Sequence, residues 1–255
     1  MKVLILDIET RPHVVYCWGF WKVNIGPNQV IDHGGIMSFA AKWLGEDQVH
    51  YFEDRSGNDK DLVEKICEFL DEADIVVAHN GEKFDLPKIR ARALVYGITP
   101  PSPVKVVDTL KTARREFGFS SNSLSYLSDV LDLGTKKGEH KKFPGMSLWT
   151  ECLAGNEEAW AEMKHYNILD VIALEDLYLK LRPWDTRHPN VAVKLEEKEK
   201  PVCPKCGGTH LQYRGYAYTQ TSKYHRLQCN SCGGWSRTRY SLLPKNEHLV
   251  VSQVS

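Results

Sequence analysis

Four cysteines near the end of the chain form two Cys-x2-Cys pairs. The pairs read 203-CPKCGG-208 and 229-CNSCGG-234, and 22 residues separate them. Each pair places two thiolates in one tight turn, whose glycines permit the positive φ angle that the turn needs. Four sulfurs surround zinc tetrahedrally and leave no open position for catalysis. The spacing predicts a structural zinc ion in a zinc ribbon, rather than a redox pair or two unrelated thiol pairs, with the ligands Cys203, Cys206, Cys229 and Cys232.

The other three cysteines, Cys17, Cys67 and Cys152, are scattered along the chain. The first apolar run, VLILDIE, contains two acids and lacks the small-residue cleavage site of a secretory signal. No apolar stretch reaches the length of a membrane span. These features predict a cytoplasmic protein with reduced thiols and no membrane segment.

A composition change divides the chain. Residues 182–201 contain three prolines and a charge run without periodicity, which is typical of a linker. Residues 201–255 contain seven Lys or Arg and one acid, a balance of +6, so residues 1–200 carry −6. We expect a large domain at 1–181, a linker at 182–200, the zinc ribbon at 201–242 and a tail at 243–255.

Basic and aromatic residues alternate in the predicted ribbon, in LQYRGYAYTQTSKYHRLQ and WSRTRY. Alternation along strands would place rings and cations on separable faces. Rings such as Tyr216 and Trp235 can then stack on bases while Lys and Arg follow phosphates. The alternatives are that the rings cover a small core, or that the ribbon docks on a protein partner.

The first domain reads as an α/β fold with a mixed sheet. Helical periodicity appears at 61–73 and 86–97, and helices dominate from about 109 to Leu181. Short apolar or β-branched runs predict strands at 2–9, 14–23, 35–44, 48–54, 75–81 and 104–108.

Two acids, Asp7 and Glu9, lie two residues apart on the first predicted strand, so their side chains share one face. Two unpaired carboxylates are costly to bury in an otherwise apolar strand. Either a divalent cation compensates them, or the sheet ends there and both acids meet water.

Two further acids have ambiguous surroundings. Asp85 follows the predicted strand at 75–81 and precedes Leu-Pro, which is typical of a helix N-cap. Asp170 lies inside the last helical pattern, where acids usually face solvent. Its neighbours Leu169, Val171 and Ile172 nevertheless belong to the apolar side.

Taken in order, three motifs resemble those of the DEDD 3′–5′ exonucleases. They are LDIET, Asn80-x3-Phe84-Asp85 and Tyr166-x3-Asp170. The resemblance implies a ribonuclease-H-like mixed five-stranded sheet flanked by helices, with Asp7 and Glu9 on its central strand. It also implies that Asn80 and Phe84 position the terminal nucleotide, and that two Mg²⁺ or Mn²⁺ ions are held by Asp7, Glu9, Asp85 and Asp170.

That family divides by the residue that assists the attacking water: a tyrosine four residues before the last Asp, or a histidine five before it. This chain has both, Tyr166 and His165. In a continuous helix, the fourth residue back is about 40° away around the axis, and the fifth is about 140° away. Because the helical pattern begins well upstream, Tyr166 should share a face with Asp170. We therefore expect the tyrosine type.

Basic residues around the second motif, Lys83 with Lys88, Arg90 and Arg92, and the stretch 135–143 either line a strand path or form a solvated face. The expected activity is hydrolysis from the 3′ end of single-stranded nucleic acid, DNA before RNA. The alternatives are a catalytically silent nucleic-acid-binding adaptor acting through the zinc ribbon, and a structure-specific endonuclease on the same fold.

Overall fold

Two compact units make up the chain, Lys2–Tyr178 and Leu179–Ser255. The structure is a computed structural model that describes residues 1–135, 142–195, 200–244 and 249–251. None of the helices within these ranges is long and apolar enough to cross a membrane.

A five-stranded mixed sheet forms the centre of the first unit. The strands of this unit are β1 (Val3–Thr10), β2 (Val14–Val15), β3 (Val30–Asp32), β4 (Ile36–Trp43), β5 (Val49–Glu53), β6 (Ile75–Ala78) and β7 (Lys105–Asp108). The sheet has the order β5-β4-β1-β6-β7, in which β1, β6 and β7 are parallel and β4 and β5 are antiparallel. The predicted mixed five-stranded sheet and its central first strand are confirmed.

Helices cover both faces of the sheet. They are α1 (Lys60–Glu72), α2 (Asp85–Val95), α3 (Thr109–Glu116), α4 (Leu124–Val130), α5 (Ser147–Leu153) and α6 (Glu157–Leu181). The helices predicted at 61–73 and 86–97 correspond to α1 and α2. The side chain of Asn156 caps α6 by accepting hydrogen bonds from the N–H groups of Glu158 and Ala159.

Alternation along β1 sends its side chains to opposite faces. Leu4, Leu6 and Ile8 pack into an apolar cluster with buried residues of α1 and α2. Asp7 and Glu9 must therefore lie on the other face, as predicted. This burial fixes the register of β1, because a shift of one residue would move both acids into the apolar core.

The face of the sheet that carries the acids is covered by α5 and α6. Met37 of β4 packs there with Leu148 of α5 and with Trp160, Met163 and Tyr166 of α6. The long helix α6 is thereby held across the end of β1, and its Asp170 is buried in the first unit.

The strand predicted at 14–23 is wrong. Only Val14–Val15 is extended and paired, with β3, in a separate two-stranded sheet. The following segment contains Lys22 at a φ of +52°, which is incompatible with a strand. Aromatic and β-branched residues favour strands only where a neighbouring surface packs on them, and here the rings face solvent.

A three-stranded antiparallel sheet forms the centre of the second unit. It contains β8 (Leu211–Tyr218), β9 (Lys223–Cys229) and β10 (Trp235–Arg237) in the order β10-β9-β8. Gly207 and Gly233 both have a φ of +77°, which satisfies the conformation expected of the cysteine turns. The small β domain with a four-cysteine cluster is the arrangement predicted for the C-terminal region.

The expected linker, residues 182–200, contains a 3₁₀ turn at Val191–Lys194. Val191 is buried, and its N–H donates to the carbonyl of Pro204. This part of the segment therefore packs on the start of the ribbon.

Candidate active site

Three of the four predicted acids converge in the first unit. Ligand oxygens of Asp7, Glu9 and Asp170 all lie within 4.8 Å of one another. Strand β1 supplies the first two, and α6, which is held on the same face of the sheet, supplies the third. The sequence places Asp7 and Asp170 163 positions apart, so only the fold brings them together.

The cluster suits a hard divalent cation. Two oxygens bound to one Mg²⁺ lie roughly 3–4 Å apart, since each is about 2.1 Å from the ion. Asp170 is buried, and Asp7 and Glu9 are half-buried. Three carboxylates this close repel one another, and a divalent charge compensates that repulsion.

Asp85 lies beside the cluster. It is held by strand β1, at the residue between Asp7 and Glu9. Its Oδ1 accepts a hydrogen bond from the N–H of Ile8 at 3.2 Å. The side chain is 3% exposed. Burial raises the pKa of Asp85 to about 7 against the lowering effect of that hydrogen bond, and the nearby charge of Asp108 adds to the increase.

The N-cap alternative for Asp85 is wrong. Helix α2 begins at Asp85 itself, Phe84 occupies the cap position, and no side chain caps this end of the helix. The carboxylate instead points to β1. By contrast, Asp108 caps α3, because its side chain accepts from the N–H of Lys111.

Tyr166 and Asp170 lie one turn apart on the same face of α6, as the helix geometry predicts. Burial first, and then the charges of Asp170, Glu9 and Asp7, raise the pKa of the Tyr166 hydroxyl far above its usual value. A hydrogen bond to Asp170 raises this pKa further. The phenol therefore stays protonated and acts as a donor. His165 is exposed.

Asn167 is a site residue that the sequence analysis missed. Its side-chain amide donates to Oδ2 of Asp7 at 2.6 Å, and its Oδ1 accepts from the hydroxyl of Ser38 at 3.3 Å. Asn167 is completely buried. Its position three residues before Asp170, on the same helix face, is the signal that could have identified it.

Trp149 of α5 is a second missed residue. Its indole N–H donates to Oε2 of Glu9 at 3.2 Å, and its ring meets Tyr166 edge to face with centroids 6.3 Å apart. The distance of 140 positions from Glu9 leaves no local signal in the sequence. Together, Asn167 and Trp149 orient both carboxylates of β1.

An open cleft of about 560 Å³ lies beside Glu9. Its walls are largely apolar and contain Phe84, Met146 and Trp149, and Pro12 completes the rim. Phe84, predicted to position a nucleotide, is therefore at the cleft, with 39% of its surface exposed. Such walls can stack on a base beside the carboxylates.

The other residues that were predicted to contact the substrate are not among those that line the cleft. Asn80 adopts a left-handed φ of +68°, and its N–H donates to Asp108. Lys83 is exposed. Arg92 does not line a path for a nucleic-acid strand, because its guanidinium group is paired with the buried carboxylate of Asp59. Residues 136–141 of the basic stretch at 135–143 lie outside the described residues.

The four predicted zinc ligands of the second unit converge. The Sγ atoms of Cys203 and Cys232 are 3.7 Å apart, as are those of Cys206 and Cys229. A tetrahedral ion with sulfurs about 2.3 Å away places its ligands about 3.8 Å apart, so the geometry fits zinc. Burial would raise the pKa of Cys229, but N–H groups of Cys232 and Ser231 lower it to about 7.

Rings and cations of the ribbon do not separate by face. Arg226 lies 5.1 Å from the ring centroid of Trp235, and Arg237 lies 3.8 Å from that of Tyr224. On β8, Tyr216 lies 3.8 Å from the ammonium group of Lys223. The prediction that rings and cations lie on separate faces is wrong. The antiparallel registers of the three strands place cations and rings next to each other on the same face.

This chain is similar to one protein superfamily and, over part of its length, to two DNA polymerases. A family model of the RNase_H superfamily matches residues 4–182. A DNA polymerase of Methanocaldococcus jannaschii is 49% identical over 41 residues, which are 16% of this chain and 2% of the polymerase. The solved family B DNA polymerase from the hyperthermophilic archaeon Pyrobaculum calidifontis has a TM-score of 0.52 and 16% identity, and the match covers 72% of this chain and 25% of that one. The chain thus spans a small part of either polymerase.

Proposed function

Because this chain belongs to the RNase_H superfamily, we propose that its first domain is a metal-dependent 3′–5′ exonuclease of the tyrosine type. The observation that carries the proposal is the convergence of Asp7, Glu9 and Asp170 within 4.8 Å. A structural protein has no need to collect like charges on the central strand of its sheet, whereas phosphodiester hydrolysis by two metal ions requires them.

The metal ligands in this proposal are Asp7, Glu9, Asp85 and Asp170, with two Mg²⁺ or Mn²⁺ ions. Bound there, such ions activate the attacking water and stabilise the leaving 3′ oxygen. Asp85 is a suitable fourth ligand because its raised pKa reflects a carboxylate that burial leaves uncompensated. A nearby cation would favour its charged form.

The remaining roles belong to side chains around the carboxylates. Tyr166 stays protonated, so it orients the water through its hydroxyl group and is not a general base. Asn167 and Trp149 hold Asp7 and Glu9 in their orientations. Phe84 and the cleft beside Glu9 receive the terminal nucleotide. Asn80 and Lys83 contact the nucleic-acid strand near that nucleotide.

Single-stranded DNA is the first substrate of the proposal, and single-stranded RNA the second. The named relatives are DNA polymerases, which favours DNA. The ribbon, with its structural zinc ion, contributes a surface of paired rings and cations that includes Tyr216 and Trp235. Between 201 and 246 the sequence has no acid, which suits a phosphate backbone. The unpaired thiols of Cys17, Cys67 and Cys152 suit a reducing cytoplasm.

The test is a time course on single-stranded DNA and RNA of equal sequence, each labelled at the 5′ end, with Mn²⁺. Wild type is compared with Asp7→Ala, and Asp47→Ala is the matched control because Asp47 is an exposed acid outside the cluster. We expect ladders that shorten from the 3′ end in wild type and control, and none in Asp7→Ala. Binding without cleavage would favour the adaptor, and cleavage of a circular strand would favour an endonuclease.

A further inference from the structure

A solvent-facing aromatic loop follows the strand that carries the first two acids. We define it as residues 16–25. Four of its first six residues carry aromatic rings, and all four are largely exposed: Tyr16 (74%), Trp18 (104%), Phe20 (94%) and Trp21 (90%). Elsewhere in the same unit, large rings such as Phe39 and Trp160 are buried. Large apolar side chains that are exposed together, rather than singly, are typical of a binding surface.

The aromatic loop has a closed base. Strands β2 and β3 pair beneath it, and the N–H of Tyr16 donates to the carbonyl of Gln29 at 2.8 Å. The side chain of Gln29 joins the two sides, since it donates to the carbonyl of Tyr16 and accepts from the N–H of Gly26. The rings are therefore presented by a hydrogen-bonded hairpin.

The hairpin begins at the candidate active site. Strand β1 ends at Thr10, and both Thr10 and Pro12 line the cleft that contains Glu9 and Phe84. Trp18 follows Thr10 by eight positions, so it lies no more than about 29 Å from this edge of the cleft. A strand with its 3′ end in the cleft can reach the loop within a few nucleotides.

The charge around the rings favours a nucleic acid. Residues 11–31 contain Arg11 and Lys22 and no acid. Lys22 is exposed between the rings and the second half of the hairpin. Every base has a face on which a ring can stack, whatever the sequence. A membrane surface would need more cations than the single exposed lysine of this loop.

We propose that Trp18, Phe20 and Trp21 stack on bases of the single strand, on the 5′ side of the nucleotide held in the cleft. This inference rests on the proposed function, because it requires that the cleft receive a 3′ end. It adds a second contact, remote from the carboxylates, that holds long substrates.

Binding without hydrolysis separates this inference from the exonuclease activity. The protein is the full chain with Asp7→Ala, and the probe is a fluorescent oligothymidylate of about twenty nucleotides, followed by anisotropy. Combined Trp18→Ala, Phe20→Ala and Trp21→Ala should weaken binding at least about tenfold, since each stacked ring contributes roughly 5- to 150-fold.

Two controls make the readout specific to stacking. Trp18→Phe with Trp21→Phe retains the rings and should keep the affinity within about threefold. Leu94→Ala removes an exposed apolar side chain from α2 and should change nothing. The loop residues are exposed, so the variants should unfold at the temperature of the parent.

The result that overturns the inference is equal affinity of the alanine variant and its parent, or no binding by the parent. Loss of self-association or of vesicle binding, with unchanged oligothymidylate affinity, would also overturn it. Failure of the exonuclease assay together with a tenfold loss of binding would support stacking by the aromatic loop and contradict the proposed catalysis.

Discussion

Replacement of Asp85 by asparagine should stabilise the metal-free protein at alkaline pH. The carboxylate is 3% exposed, and its pKa rises from 3.8 in the unfolded chain to about 7 in the folded protein. Each unit of this difference costs about 1.36 kcal/mol, so ionised Asp85 lowers the free energy of unfolding by roughly 4 kcal/mol. Asparagine keeps the shape and can still accept from Ile8, but it carries no charge.

The direction of this pH dependence follows from the number of protons that the folded and unfolded states bind. Between pH 3.8 and about 7 the folded protein binds the proton and the unfolded chain does not, so stability falls as the pH rises through this window. The asparagine variant lacks this dependence. Its advantage over wild type should therefore be roughly 3 kcal/mol larger at about pH 8 than at about pH 5.

Urea unfolding in EDTA at both pH values measures this difference. The matched control is Asp47→Asn, because Asp47 is exposed, and its difference from wild type should be the same at both pH values. An Asp85→Asn difference that does not change with pH would refute the argument that burial raises the pKa of Asp85. With Mg²⁺ at about pH 8, wild type should gain more stability than the variant, since the ion favours the charged carboxylate.

Three further predictions concern the two sites. Tyr166→Phe should reduce kcat by about 10²-fold or more through loss of a positioned hydroxyl, whereas His165→Ala should leave it unchanged; single-turnover rates on single-stranded DNA decide between them. Asn167→Ala should reduce metal affinity about 10- to 100-fold, because Asp7 loses the donor that orients it; Mn²⁺ titration measures this, and unchanged affinity would contradict the contact. Cys206→Ser should abolish the binding of stoichiometric zinc, measured by atomic emission. Cleavage of a dinucleotide, which depends on Asp7, should persist in this variant.

The sheet and the cysteine turns were predictable because their signals are local. Strand β1 is a short apolar run whose alternation sets Asp7 and Glu9 on one face. The cysteine spacing and its glycines specify a turn geometry within a few residues. For the same reason, the four-residue spacing was enough to predict that Tyr166 and Asp170 share one face of α6.

The errors and omissions lie where tertiary contacts decide. Residues 14–23 have the composition of a strand, yet no neighbouring surface packs on their rings, so only Val14–Val15 is extended. Trp149 reaches Glu9 from a separate helix, and no local pattern announces this contact. Asp85 has the sequence context of an N-cap, but the N–H of Ile8 on strand β1 donates to its carboxylate instead.

Substrates blocked at one end show whether this protein hydrolyses single strands from the 3′ end. Two 5′-labelled single strands carry a phosphorothioate either at the last 3′ linkage or at the first 5′ linkage, and both are incubated with the protein and Mg²⁺. We expect that the 3′ block prevents degradation and that the 5′ block does not. Equal degradation of both strands, or of neither, would contradict it.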